Sequence, residues 1–155
     1  MATLTVTITE SILLNGKDQG GSYNDFTNTS ITQVRKQIIK CTADAEVTLY
    51  QAADATATTG TGAAFFDEDS IKYVRITNLA ATSAHGYLIV KNDQNDEFTY
   101  KLVGKQSFLL YEHGDDAINM DNAALTIGSE GNIVAVSFKP ITSAQEIELF
   151  IASID

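Results

Sequence analysis

Tryptophan is missing from this chain, cysteine and proline occur once each, and Lys and Arg together number only 10 in 155 residues. Each scarcity excludes something. A single cysteine, Cys41, cannot form an intrachain disulfide, and a lone thiol is expected to be buried as a small apolar side chain. The 10 cations are scattered and face 20 acids, which leaves a formal charge of −10 and a pI near 4.4. Nucleic-acid binding draws on clustered Lys and Arg that displace phosphate counterions, so no nucleic-acid partner is expected. An anionic membrane surface would repel the chain too. The apolar runs are too short to span a bilayer, and no basic segment followed by an apolar one opens the chain. Neither a membrane anchor nor a secretory signal is therefore expected. The length fits one domain over residues 1–155, able to bury roughly 70% of its unfolded surface without a metal or a disulfide.

What is abundant is threonine, at eighteen residues. β-Branched side chains favour pleated, half-buried surfaces. Residues 3–9 read Thr-Leu-Thr-Val-Thr-Ile-Thr, which puts Leu4, Val6 and Ile8 on one side of an extended strand and the threonines on the other. A period of two means one buried and one solvated face. Variants of this pattern recur to the end of the chain.

The first strand covers 3–9 and can extend through Ile12–Leu14, followed by Asn15-Gly16, a tight-turn signal. Residues 15–30 are polar around Gly20-Gly21 and are expected to form a long loop anchored by Tyr23 and Phe26. Residues 31–41 hold a capping-box spacing, Ser30-x-x-Gln33, but Ile38-Ile39-Lys40-Cys41-Thr42 is β-rich, which favours a strand. Strands follow at 46–51, with Val47 and Leu49 inward, at 71–79 and at 87–91, the last apolar on both faces and so central. Further strands are expected at 97–103, with Phe98, Tyr100 and Leu102 inward, at 106–111, 124–127, 132–139 and 145–152. Loops are expected at 52–62 and at 112–123, the latter with an acidic centre, and Pro140 marks a corner. About ten short strands at close spacing, without a fixed repeat, read as a β-sandwich or barrel; the reading favoured is an all-β, single-domain antiparallel β-sandwich, jelly-roll-like.

Chemistry-bearing constellations are sparse. The two histidines are His85 and His113. His113 lies beside Asp115 and Asp116, fewer ligands than a zinc site wants, so a solvated loop is favoured. Asp93-x-Asn95-x-Glu97 shares the opening spacing of a calcium loop but lacks its glycine and distant glutamate, so a turn is favoured. Asp67-Glu68-Asp69 reads as a solvated acidic turn. No Gly-x-Ser-x-Gly occurs, and Gly60-Thr61-Gly62 lacks the ending of a phosphate loop. No enzyme activity, metal or cofactor is expected. Tyr23, Tyr50 and Tyr111 are the aromatics expected to be partly exposed, as boundary residues or as a glycan-binding surface.

Three stretches resemble small β-rich virion structural proteins of tailed bacteriophages, especially those of marine bacteria. They are Ile71-Lys72-Tyr73-Val74-Arg75-Ile76-Thr77-Asn78-Leu79, Phe98 to Leu110, and Ile147-Glu148-Leu149-Phe150-Ile151-Ala152-Ser153. The opening Met1 to Glu10 is similar to theirs as well. The likeness is one of strand pattern and not of a catalytic motif. It implies a non-enzymatic virion component assembled in a host cytoplasm, with capsid decoration (cement), tail or head–tail interface, and fibre roles all open. The partners it implies are the major capsid protein or other virion proteins, and further copies of the chain as a homo-oligomer. The segments 15–30, 52–66 and 112–123 are the contact candidates, with Tyr23, Phe26, Phe65, Phe66, Tyr111 and His113 as contact residues. The N-terminal strand is a further candidate, because it could pair with another subunit's edge.

Overall fold

Alternation of buried and exposed residues continues along strand after strand, and the strands close into two stacked sheets plus a projecting ribbon. The computed structural model describes residues 1–53, 65–67, 70–92, 97–111 and 133–154. Among them there is no helix. The strands in chain order are β1 (Ala2–Glu10), β2 (Leu13–Leu14), β3 (Lys17–Asp18), β4 (Gly21–Ile31), β5 (Gln33–Cys41), β6 (Val47–Ala53) and β7 (Phe65–Asp67). They continue as β8 (Ile71–Asn78), β9 (His85–Asn92), β10 (Glu97–Val103), β11 (Ser107–Tyr111), β12 (Ile133–Pro140) and β13 (Gln145–Ser153).

One sheet runs β11-β8-β13-β5 and the other β10-β9-β12-β6-β7. The pairing is nested. β9 pairs with β10, β8 with β11, β6 with β12 and β5 with β13, all antiparallel. Strands β9 with β12 and β8 with β13 complete the two sheets. This is the strand order of a jelly roll, a long hairpin rolled so that successive pairs fall alternately in the two sheets. The only departure from antiparallel pairing among the described residues is the short β7, which lies parallel to β6.

The core lies between the sheets. Val74, Ile76, Ile147, Leu149 and Ile151 from the four-stranded sheet meet Leu88, Val90, Leu102, Val136 and Phe138 from the other, all fully buried. Cys41 is buried there as expected, and burial pushes its thiol pKa up to about 11. Of the three β10 residues expected inward, Leu102 is fully buried and Phe98 partly so, but Tyr100 is 44% exposed and, like Phe98, lies tilted against Phe108 at the edge of the sheet. Strand β9 is central, as its apolar character predicts, with β10 and β12 on either side.

A small polar cluster pins one end of the sandwich. Asn78 donates to Gln145 Oε1 at 2.7 Å and to the Leu102 carbonyl at 3.3 Å, and its own oxygen accepts from the Ala80 N–H at 3.0 Å. Gln145 in turn donates to the His85 carbonyl at 2.8 Å. Buried amides without these partners would cost about 1–3 kcal/mol each.

Two expectations are corrected. Residues 15–30 are not a loop: β3 and β4 occupy most of them, and β4 pairs with β1 along its length. Tyr50 is not partly exposed but fully buried. In β6 the pairing slips by one residue at Leu49, so that Tyr50 faces Val136 while Thr48 faces Ser137. This bulge brings two consecutive side chains, Leu49 and Tyr50, into the interior.

Candidate interaction surface

Strands β1 and β4 form a two-stranded ribbon, with β2 and β3 as a smaller hairpin at its tip. At the base, Leu4, Val6 and Phe26 pack against Tyr73, Ala152, Leu109 and Phe150, which lie on the outer face of the four-stranded sheet. The threonines of β1 face solvent, where Thr7 donates to Asn24 at 2.9 Å and Thr9 lies 3.0 Å from Ser22 Oγ. The alternation at 3–9 therefore marks a strand that covers an outer sheet face, not one inside the sandwich.

The tip is tightly built. Asn15 and Gly16 take φ of 53° and 76°, the left-handed pair that a two-residue hairpin turn requires. Asp18 receives hydrogen bonds from the Gly20 N–H at 2.8 Å, the Ser11 hydroxyl at 2.9 Å and the Ile12 N–H at 3.1 Å. These bonds, the Gly20 N–H foremost, hold its carboxyl below the usual aspartate range. A Cβ at position 20 would collide with the Glu10 carbonyl, so glycine is required there. On this frame three consecutive apolar residues stand out in solvent: Ile12, Leu13 and Leu14 are 61%, 75% and 58% exposed. Runs of this kind on a surface mark contact sites.

Beside the ribbon lies a groove of about 380 Å³. One wall is β1 from Leu4 to Ile8, and Arg75, Leu109 and Phe150 lie across the middle of the floor, with Tyr73 and Ser107 in the flanking rows. The Arg75 guanidinium sits 5.4 Å from the centre of the Phe150 ring and donates to Glu148 at 2.7 Å. Lys36 lies 3.0 Å from the other Glu148 oxygen. Hydrogen bonding from Lys36, joined by Arg75, lowers the Glu148 pKa. Burial raises that of Tyr73, partly offset by the Arg75 charge. Tyr73 meets the Phe150 ring edge-on at 5.8 Å. Arg75 Nε is buried without a hydrogen-bond partner.

The six residues proposed as contacts fall in different places. Tyr23, on β4, is 51% exposed, whereas Phe26 is tucked against the sheet at the base of the ribbon. Phe65 and Phe66 form most of β7 beside Gln51 and Ala52, and Tyr111 ends β11 opposite Tyr73. His113 lies outside the described residues, as do the acidic segment 112–123, the strand expected at 124–127, the turn at 93–96 and most of the loop at 52–62. Ile12, Leu13 and Leu14 were read only as an extension of the first strand. Three adjacent aliphatics just before Asn-Gly were the available signal for a tip. Among the described residues no group of three or more His, Cys, Asp or Glu is placed to hold a metal ion. No helix among them is long and apolar enough to cross a membrane.

No protein-family model matches this chain, and no curated protein matches it either.

Proposed function

We propose that this chain is a virion structural protein, a capsid decoration (cement) protein that binds the phage head through protein–protein contacts. The observation that carries this reading is the ribbon: a β-hairpin whose tip holds Ile12, Leu13 and Leu14 in solvent, mounted on a jelly-roll body. Jelly rolls serve in viral capsids and in lectins, so the body alone leaves both roles open, and the exposed apolar tip supports the protein-contact reading. Burying one aliphatic side chain is worth about 1.5–3 kcal/mol, so three at a junction between capsid subunits make a modest contact. A shell repeats that contact at every equivalent site. The acidic surface keeps the protein soluble at high local concentration and does not compete for packaged DNA.

Antibody labelling of purified particles, viewed by electron microscopy, tests the reading. Label spread regularly over the head is the expected result. Label confined to the tail would move the assignment to a tail or head–tail interface protein. Free protein with no label on particles would remove the virion assignment. A Leu13→Glu variant should keep its fold and lose head binding. Head binding that survives this change would show that the tip is not the contact.

A further inference from the structure

We propose that the free edge of β1 takes up an extended, acidic segment of a partner protein as an added strand, with a carboxylate of that segment over Arg75. Five consecutive residues, Leu4 to Ile8, line the groove. A strand shows alternate side chains to whatever lies above or below it, so five in a row mean that β1 presents its edge. Among the described residues β1 pairs with β4 alone, so its outward-facing backbone N–H and C=O groups have no strand partner there.

The edges of the molecule differ in how they are guarded. Strand β5 carries Arg35, Lys36 and Lys40, and β10 carries Glu97 and Lys101. The outer edge of β4 carries Asp25, and both register shifts of the ribbon insert their extra residue into β4. Strand β11 is only five residues long. The edge of β1 from Ala2 to Thr9 has no charge, no proline and no inserted residue. Natural proteins guard an exposed edge with such devices, and an edge without them is suited to pairing.

The floor sets the chemistry of the occupant. Leu109 and Phe150 suit aliphatic side chains. Among the described residues Arg75 and Lys36 share a single carboxylate, Glu148, which leaves this cluster with one positive charge in excess in a chain whose net charge is −10. The Arg75 side chain is 35% exposed, so its guanidinium can meet an incoming carboxylate. A second copy's β1 offers no acid between Thr3 and Thr9, so symmetric pairing of two β1 edges would leave Arg75 without a carboxylate, and the occupant proposed is a segment of a different protein. The inference deepens the function proposed above. That the partner is a neighbouring shell protein rests on that reading, whereas the groove itself does not.

The test is nuclear magnetic resonance of the full chain, titrated with a short blocked peptide of alternating threonine and valine. The peptide carries one central glutamate and a lysine at each end. A control peptide has lysine in place of the glutamate. The glutamate peptide should bind about tenfold more tightly, as a single charge-assisted contact predicts. Shifts and slowed amide exchange should fall on β1 and on the Arg75 Nε–H. Arg75→Gln should erase the preference between the peptides while the amides of β8 and β13 stay protected. Absence of binding, equal binding of the two peptides, changes away from β1, or self-association of the chain through β1 would each overturn the proposal. Labelled heads without peptide binding would remove the groove alone. Peptide binding without labelled heads would remove only the shell as the partner's source.

Discussion

The sandwich and the ribbon are both antiparallel β-structure, yet they are held by different means. Inside the sandwich, Leu88, Val136, Phe138, Ile147 and Leu149 have no solvent exposure at all. In the ribbon, Leu4, Val6 and Ile8 are only half buried, and the opposite face is held by hydroxyl hydrogen bonds in water. Exposed hydrogen bonds of this kind contribute little net stability. The ribbon therefore depends on the sandwich beneath it, while the sandwich gains little from the ribbon. A weakly held part that projects apolar residues is the part available for a partner.

Four substitutions and one titration would break or sharpen this contrast. The largest effect belongs to the core. Phe138→Ala should cost about 3–5 kcal/mol in urea unfolding, and ribbon and sandwich should then lose structure together. Next comes the polar pin. Asn78→Ala strands Gln145 and the Leu102 carbonyl, at a cost of about 2–3 kcal/mol, measured the same way.

Phe150→Ala should cost less, about 2 kcal/mol, because the ring is only partly buried. Its signature is regional: amide exchange should quicken in β1 and β4 while β9 and β12 remain protected. Uniform quickening would show that the ribbon and sandwich form one cooperative unit. The smallest effect is a pH response. Asp18 and Glu148 both have lowered pKa values in the folded chain. Their contribution is therefore complete above the ordinary carboxylate range and is lost as pH falls through the lowered values. Carbon-detected titration should find the Asp18 carboxyl protonating at a lower pH than an ordinary aspartate, with tip resonances of residues 11–20 shifting only as it protonates. Asp18→Asn should show the acid form of the tip at neutral pH.

Much of the sandwich was legible because burial on one face imposes a two-residue period. The expected strands at 71–79, 97–103 and 145–152 agree with β8, β10 and β13 to within one or two residues at either end. The ribbon was half legible. β1 alternates, but β4 does not: Gly21, Ser22, Asn24, Asp25 and Asn28 are poor strand formers, and two inserted residues break its phase. Its hydrogen bonds come from β1, which local propensity does not see. Tyr50 was missed for a related reason, since a one-residue slip inverts the faces beyond it. The Arg75–Glu148–Lys36 cluster joins residues far apart in sequence and is visible only once β8, β13 and β5 lie side by side.

The nested pairing also sets an order of events in time. Strands β9 and β10 are close neighbours in sequence, β8 and β11 enclose them, and β5 and β13 meet last across most of the chain. Loop-closure entropy favours the short-range pair first and makes a fold of this kind slow to complete. Pulse-labelled refolding should therefore protect amides of β9 and β10 before those of β5. During synthesis the ribbon leaves the ribosome well before Phe150 and Ala152, which it packs against. The ribbon is made before the floor it docks on, and Ile12, Leu13 and Leu14 stay open to other molecules throughout that interval.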